Sequence, residues 1–213
     1  MTDPLELDDL NVPRVPHDAG EYADDLRRLL GRIPRGWGRW ISCGPGWYPL
    51  LVRLNKALAA LVPEYEVHQV KEKYGTLRYY IGFPTIEPVC CEQLHADDPR
   101  PFDEAVRGPL VPAGRSPETQ RLLDEWFERH MEHLRSPEHI AAAEALAHDP
   151  RVLRRRDAGP LIEELIREAE LEAARTCESC GAAGSLMIRD GWYQTLCDPC
   201  GEKLEYARVS DIE

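Results

Sequence analysis

The sequence predicts an α+β protein in which a small helix-hairpin unit and a helical segment precede a cysteine-rich C-terminal module. Three observations predict this class: apolar residues at helical spacing, one strand-turn-strand pattern, and two Cys-x-x-Cys pairs. The 213 residues are 43% hydrophobic and 30% charged, which is typical of a globular chain long enough to bury its own core.

Composition divides the chain into five segments. Seven of the 18 prolines fall between residues 84 and 117, and proline blocks helices and inner strands, so this stretch is expected to be a connection. We expect a flexible N-terminal segment at 1–17, an α+β unit with a β-hairpin at 18–83, the proline-rich connection at 84–117, a helical insertion at 118–157, and a helix plus the cysteine module at 158–213.

Two helices are predicted at the start of the α+β unit. The first is expected to begin at Asp18 or Glu21 and to end near Gly31. The second follows a glycine- and tryptophan-rich segment, because apolar residues recur every three or four positions from Trp47 until Pro63 stops the pattern.

A hairpin and further helices follow. The run EVHQVKEKYGTLRYYIGF is rich in β-branched and aromatic residues around Tyr74-Gly75, which predicts two antiparallel strands and a tight turn. Ser116-Pro117-Glu118 and Ser136-Pro137-Glu138 each offer a hydroxyl cap before a proline, which predicts two helix starts, and Pro160 is expected to begin another helix. The helix after Ser116 carries one predicted apolar stripe: Leu122, Leu123, Trp126, Phe127, Met131 and Leu134.

Two cysteine pairs carry the strongest chemical signal, Cys177 with Cys180 and, after 16 residues, Cys197 with Cys200. Four thiolates bind one Zn²⁺ tetrahedrally, and a two-residue spacer lets both sulfurs of a pair converge on the ion. We therefore predict one structural zinc ion per chain, with no open position for a catalytic water. Two redox pairs or four unligated thiols are the alternatives, although a redox pair is expected once and after a strand.

The residues around the second pair predict the shape of the module. Asp190-Gly191 lies between two β-prone runs, which is a strong hairpin signal, and residues 201–209 have a helical pattern. The module is thus expected to contain a tight turn (a knuckle) at the first cysteine pair, then a hairpin, then the second pair at the start of a helix. This order of elements is typical of a treble-clef finger rather than of an all-β zinc ribbon. The interval between the pairs contains no His and no Asn, which excludes a nuclease of the HNH type.

The remaining thiols, histidines and carboxylate pairs complete no catalytic or metal-binding pattern. Cys43, Cys90 and Cys91 could form a second metal site with His95, but adjacent cysteines chelate one ion poorly, so these thiols are expected to be buried or idle. The histidines of the helical region are expected to be solvated helix side chains: His130, His133 and His139. The acid pairs are expected to be solubilising charge in loops: Asp8-Asp9 and Asp97-Asp98.

Charge is unevenly distributed. With 38 acidic and 26 basic side chains the net charge is -12, which argues against a general nucleic-acid coat. Residues 36–83 nevertheless carry +3, and cations there alternate with aromatic rings, as in surfaces that hold single-stranded nucleic acid or acidic peptides. Core rings beside solvated cations would give the same pattern. We predict a binding surface at Trp47, Lys71, Lys73 and Arg78.

Three segments resemble a family of uncharacterised bacterial and bacteriophage proteins: CGPGWYPLLVRL (43–54), HQVKEKYGTLRYYIG (68–82) and RTCESCGAAGSLMIRDGWYQTLCDPC (175–200). Its members pair an aromatic-glycine helix and a "QVKEK(F/Y)GxLR" hairpin with a C-terminal four-cysteine zinc finger. The resemblance implies this architecture and supplies no activity, and the insertion from about Pro84 to Arg156 departs from the family's short form. The finger alone is loosely similar to those of the DksA/TraR transcription regulators, which bind RNA polymerase.

The sequence favours a zinc-stabilised, non-enzymatic binding or regulatory protein with a protein partner, because the predicted metal site is closed and no catalytic set is assembled. One alternative is a nucleic-acid-binding protein, or a nucleic-acid-processing enzyme that uses Glu72 with Lys71, Lys73 and Arg78; another is an acidic nucleic-acid mimic. A positively charged surface around the hairpin would favour nucleic acid over protein. Without a secretory signal or an apolar run of membrane-spanning length, we expect a cytoplasmic protein with no membrane partner.

Overall fold

The computed structural model describes residues 9–88 and 117–211, and it confirms a mixture of helices and small antiparallel sheets. The predictions on Asp8, on the cysteines at 90 and 91, on His95 and on Asp97-Asp98 lie outside the described residues. The helices and strands in chain order are α1 (Ala23–Leu30), α2 (Tyr48–Leu61), β1 (Glu66–Lys73), β2 (Thr76–Gly82), α3 (Pro117–Leu134), α4 (Pro137–Leu146), α5 (Pro150–Ala173), β3 (Ser185–Arg189), β4 (Trp192–Leu196), α6 (Asp198–Leu204) and β5 (Ala207–Arg208).

The chain forms two compact units. The first contains Met1–Pro84 and Asp157–Glu213, so the hairpin region and the cysteine module belong to the same unit. The second contains Thr85–Arg156. Among the described residues, every helix is too short or too polar to cross a membrane.

The core of the first unit lies between α1, α2, one side of the β1–β2 hairpin and part of α5. A 3₁₀ turn at Gly20–Tyr22 leads into α1, and α2 ends where Val62 becomes extended just before Pro63. Both helices therefore lie within about one turn of their predicted bounds. Leucines that are almost fully buried form the centre of this core: Leu26, Leu29, Leu30, Leu50, Leu51, Leu54 and Leu58.

Strands β1 and β2 form the predicted antiparallel hairpin. Tyr74 and Gly75 have φ angles of 56° and 75°, and positive φ at both central residues is typical of the two-residue turn whose twist matches that of the strands. Leu77 is buried on the inner side, whereas Lys71 and Arg78 are paired across the strands on the outer side. The hairpin thus has a core face and a second face free of core contacts.

The cysteine module, residues 176–211, contains a three-stranded sheet in the order β4-β3-β5. Asp190 and Gly191, with φ angles of 50° and 81°, form the predicted turn between β3 and β4. The prediction that residues 201–209 are helical is wrong at its end, because Ala207 and Arg208 pair with β3 as strand β5. The cause is Glu205, whose positive φ of 61° ends α6 and reverses the chain.

Pro160 does not begin a helix, contrary to the prediction, because α5 begins at Pro150 and continues through it. The residue before Pro160 is Gly159, which has no Cβ to clash with the proline ring, so the usual restriction on that residue is relieved. In the second unit Ser136 caps α4 as predicted, and its hydroxyl oxygen accepts the His139 N–H at 3.1 Å.

The predicted apolar stripe of α3 is largely open to solvent. Trp126 is buried and stacks on His130, with ring centroids 4.7 Å apart. Leu122, Phe127 and Met131, in contrast, are 44%, 49% and 40% exposed. The helix packed against α3 is α4, which has 10 residues against the 18 of α3 and therefore covers only part of the stripe.

Candidate functional site

The four cysteines of the module lie together. The first pair brackets a tight loop, the first knuckle (residues 177–181), while Cys197 is the N-cap of α6 and Cys200 lies in its first turn. The four sulfur atoms are all within 4.8 Å of one another, and those of Cys180 and Cys197 are 3.5 Å apart. Sulfurs bound at about 2.3 Å to one tetrahedral ion lie roughly 3.8 Å apart, so this cluster could bind a single metal ion.

The thiols differ in their surroundings. Burial raises the pKa of Cys177, but the backbone N–H groups of Cys197 and Cys180 outweigh it and lower this pKa to about 7, which favours the metal-binding thiolate. Burial raises the pKa of Cys43, which lies outside the cluster. In the part of the chain that the structure describes, these four cysteines are the one group of three or more potential ligands arranged for a metal, and the three helical histidines do not form another.

Hydrogen bonds join the first knuckle to the segment before α2. The backbone N–H of Gly46 donates to the carbonyl oxygen of Glu178 at 2.7 Å, and that of Gly44 donates to the Glu178 carboxylate at 2.8 Å. One residue further on, the indole N–H of Trp47 donates to the carbonyl oxygen of Thr176 at 2.8 Å. The N-terminal end of α2 therefore rests directly on the knuckle.

Glycine is required for this approach. A Cβ on Gly46 would overlap the carbonyl oxygen of Cys177 and lie 2.5 Å from the backbone nitrogen of Gly181. A Cβ on Gly44 would lie 2.5 Å from the carbonyl oxygen of Glu178. These neighbours are backbone atoms, which cannot rotate away as a side chain would. Any residue other than glycine at position 44 or 46 would therefore clash with the knuckle.

Glu178 is a buried acid with a structural role, only 5% exposed. Its carboxylate accepts the Gly44 N–H and, at 3.4 Å, the side-chain amide of Gln194. Burial raises the pKa of Glu178 to about 7; the Gly44 hydrogen bond opposes this and the charge of Glu72 adds to it. Sequence reasoning missed this residue, because an acid inside a Cys-x-x-Cys spacer looks the same whether it faces solvent or a neighbouring backbone.

The module also supports the turn of the β1–β2 hairpin. The buried hydroxyl of Thr195 donates to the carbonyl oxygen of Gly75 at 2.6 Å, and a Cβ on Gly75 would overlap a methyl group of Leu186. At the free edge of β1, Ser42 forms a parallel bridge with Lys71. The hairpin is thus held at its turn by the module and at its edge by the segment that leads to the knuckle.

The outer face of the hairpin brings together three of the residues of the predicted binding surface, Lys71, Lys73 and Arg78. None of these three cations forms an ion pair with a described residue. The face therefore offers positive charge that is not paired with a carboxylate of the described residues. Six other basic residues of the first unit do pair with acids: Arg27 with Asp24, Arg28 and Lys56 with Asp25, Arg53 with Glu172, Arg167 with Glu164, and Arg208 with Asp198.

Trp47 does not belong to this surface, contrary to the prediction. Its side chain is 0% exposed, because the knuckle covers the start of α2 where it lies. The exposed rings near the hairpin are Tyr74, Tyr80 and Trp37. Tyr80 could have been identified from the sequence, because it lies two residues from Arg78 in a predicted strand and therefore on the same face.

Comparison of the chain with protein-family models, with curated proteins and with solved structures finds no match. The cysteine cluster and the hairpin face are therefore the features of the chain that indicate a function.

Replacing Gly46 with alanine should separate the knuckle from α2. We expect the variant Gly46→Ala to lose about 2–3 kcal/mol of unfolding free energy, because the new methyl group overlaps backbone on both sides. Thermal or denaturant unfolding measures this loss. Gly31→Ala is the matched control, since a Cβ there would come no closer than 3.3 Å to its neighbours, and we expect a change below about 1 kcal/mol. Equal effects of the two substitutions would contradict the proposed contact.

Proposed function

We propose that this protein is a zinc-stabilised, non-enzymatic binding protein whose β1–β2 hairpin presents a cationic face to an anionic partner. The observation that carries the proposal is the group of three cations that form no ion pair within residues 9–88 and 117–211. These are Lys71, Lys73 and Arg78, on a hairpin anchored to the four-cysteine module. Partner carboxylates or phosphates would supply the complementary charge.

The donor set supports zinc as the metal. Four thiolates in a tetrahedral arrangement suit Zn²⁺, and with all four positions filled by protein the ion stabilises structure and activates no water. The order of elements supports a treble-clef finger: a knuckle with the first pair, the β3–β4 hairpin, and the second pair at the start of α6.

The enzyme alternative centred on Glu72 finds less support. Its carboxylate accepts the backbone N–H of Gly75 and so stabilises the hairpin turn. The nearby second carboxylate, that of Glu178, is buried and occupied by Gly44 and Gln194. Two acids engaged in structural hydrogen bonds do not offer the accessible acid-base pair that such chemistry needs.

Purified protein should contain about one zinc ion per chain, measured by elemental analysis under reducing conditions. Cys200→Ser should lower the zinc content and the melting temperature, because one of four thiolates is lost. Cys43→Ser is the control and should leave the zinc content unchanged, since Cys43 lies outside the cluster. A freshly purified, reduced sample without zinc would refute the metal assignment.

Removing the hairpin cations should weaken the binding of a polyanion that has no aromatic groups. We expect the double variant Lys71→Gln/Arg78→Gln to bind inorganic polyphosphate about tenfold more weakly, because each exposed ion pair contributes somewhat under 1 kcal/mol. Calorimetric titration at low salt measures this affinity.

Arg27→Gln/Lys56→Gln, which also removes two positive charges, is the control for net charge, because these side chains already pair with Asp24 and Asp25. We expect this variant to bind like the wild type. If it loses as much affinity as the hairpin double variant, the hairpin is not the binding face, and if the wild type binds no polyphosphate, the proposed function fails.

A further inference from the structure

Exposed aromatic rings stand beside the cations on the outer face of the hairpin. Tyr74 at the turn is 68% exposed, and the Lys73 ammonium lies 5.4 Å from its ring centroid. Tyr80 is 47% exposed and lies two residues from Arg78, so the two side chains share one face of β2. The cations are therefore flanked by rings along this face, with Tyr80 next to Arg78 on one side and Tyr74 next to Lys73 on the other.

A third exposed ring extends the row at the open end of the hairpin. Trp37 is 57% exposed, and its ring centroid lies 4.7 Å from that of His68, the bulged residue of β1. A Cβ on Gly82 would overlap the His68 ring, so that ring covers Gly82. Because Gly82 is two residues from Tyr80, a Cβ there would point to the outer face, and the rings of His68 and Trp37 lie on that face too.

The row has the length of a short nucleic-acid site. Tyr74, in the turn, is six steps along the chain from His68, which at about 3.3 Å per step is roughly 20 Å. The carboxylate of Glu66 lies 3.7 Å from the His68 ring at one end of the row. The three cations occupy the other half, so phosphates are expected there and a base at the Trp37 end.

We propose that this row binds single-stranded nucleic acid, with bases stacked on the exposed rings and phosphates held by Lys71, Lys73 and Arg78. The inference rests on the proposed function and names the partner of that same face. Cations that follow a backbone, interleaved with rings on which bases stack, hold single strands with little sequence preference. The charge of -12 over the whole chain confines such binding to this local face.

The rings distinguish this partner from the alternatives. An acidic protein segment would need the cations but would leave Trp37, Tyr74 and Tyr80 without a flat apolar group to cover them. A nucleic-acid duplex would satisfy the cations, but its bases are stacked on one another and cannot stack on protein rings. A single strand satisfies both kinds of group at once.

The test uses a fluorescein-labelled oligothymidylate of about twelve nucleotides, a length within the range of known single-strand sites. Fluorescence anisotropy with the full-length, zinc-loaded protein measures the affinity at several salt concentrations. We expect the logarithm of the affinity to fall with the logarithm of salt with a slope of about -2, because three phosphates are contacted. Tyr80→Ala and Trp37→Ala should each weaken binding about tenfold through lost stacking.

Trp192→Ala is the matched aromatic control, because Trp192 is 74% exposed but lies on the β3–β4 hairpin of the module. This variant should bind the oligothymidylate like the wild type. Equal losses in Trp192→Ala and Tyr80→Ala, or none in either ring variant of the row, would overturn the inference.

An abasic oligonucleotide of the same length and a polyglutamate peptide separate this inference from the proposed function. We expect both to bind at least tenfold more weakly than the oligothymidylate, since neither can stack. If either binds as tightly and depends on Lys71 and Arg78, the single-strand inference fails while the anion-binding function stands. If no anionic probe binds, both fail.

Discussion

The hydrogen bonds between the first knuckle and the start of α2 are the constraint on which the rest of the first unit depends. Two stretches of backbone, at Gly46 and at Glu178, approach so closely that no side chain fits between them. Zinc binding releases about 10–16 kcal/mol in isolated zinc-finger peptides, as much as the whole stability of a typical domain. Because α2 rests on the knuckle, an ion bound by the four cysteines would stabilise the helical core as well as the module.

The same support explains how the hairpin can expose charges and rings. An isolated two-stranded hairpin is at best marginally stable, so its outer face is free for binding only if other elements stabilise the strands. Here the helices cover the inner face, Thr195 holds the turn, and Ser42 bridges the edge of β1. The outer side chains are then not needed for stability, and they include cations that pair with no described carboxylate, beside exposed rings. Under the proposed function, the acidic remainder of the chain would limit anionic partners to that face.

Local patterns predicted most of the local structure, with the helix start at Pro160 and the helical end of residues 201–209 as exceptions. Long-range contacts are what these patterns could not predict. Leucine spacing located α1 and α2, Tyr74-Gly75 and Asp190-Gly191 located the two turns, and the spacing of the cysteines identified the cluster. The burial of Trp47 and Glu178 was not predictable, because each is covered by a segment about 130 residues away in sequence: the knuckle covers Trp47, and the segment before α2 covers Glu178. From sequence alone, Gly44 and Gly46 could equally belong to a flexible turn. The need for glycine at both positions becomes evident only from the carbonyl groups of the knuckle that approach them.

Hydrogen exchange before and after removal of the metal tests most directly whether the cysteine cluster organises the rest of the first unit. The account predicts that a chelator accelerates exchange in the module and also in residues 42–47 and the hairpin turn, where backbone groups bond to the knuckle and to Thr195. The variant Gly46→Ala with metal bound should show faster exchange at residues 42–47 alone. Faster exchange confined to residues 176–211 after chelation, with residues 42–47 and the hairpin unchanged, would contradict the account.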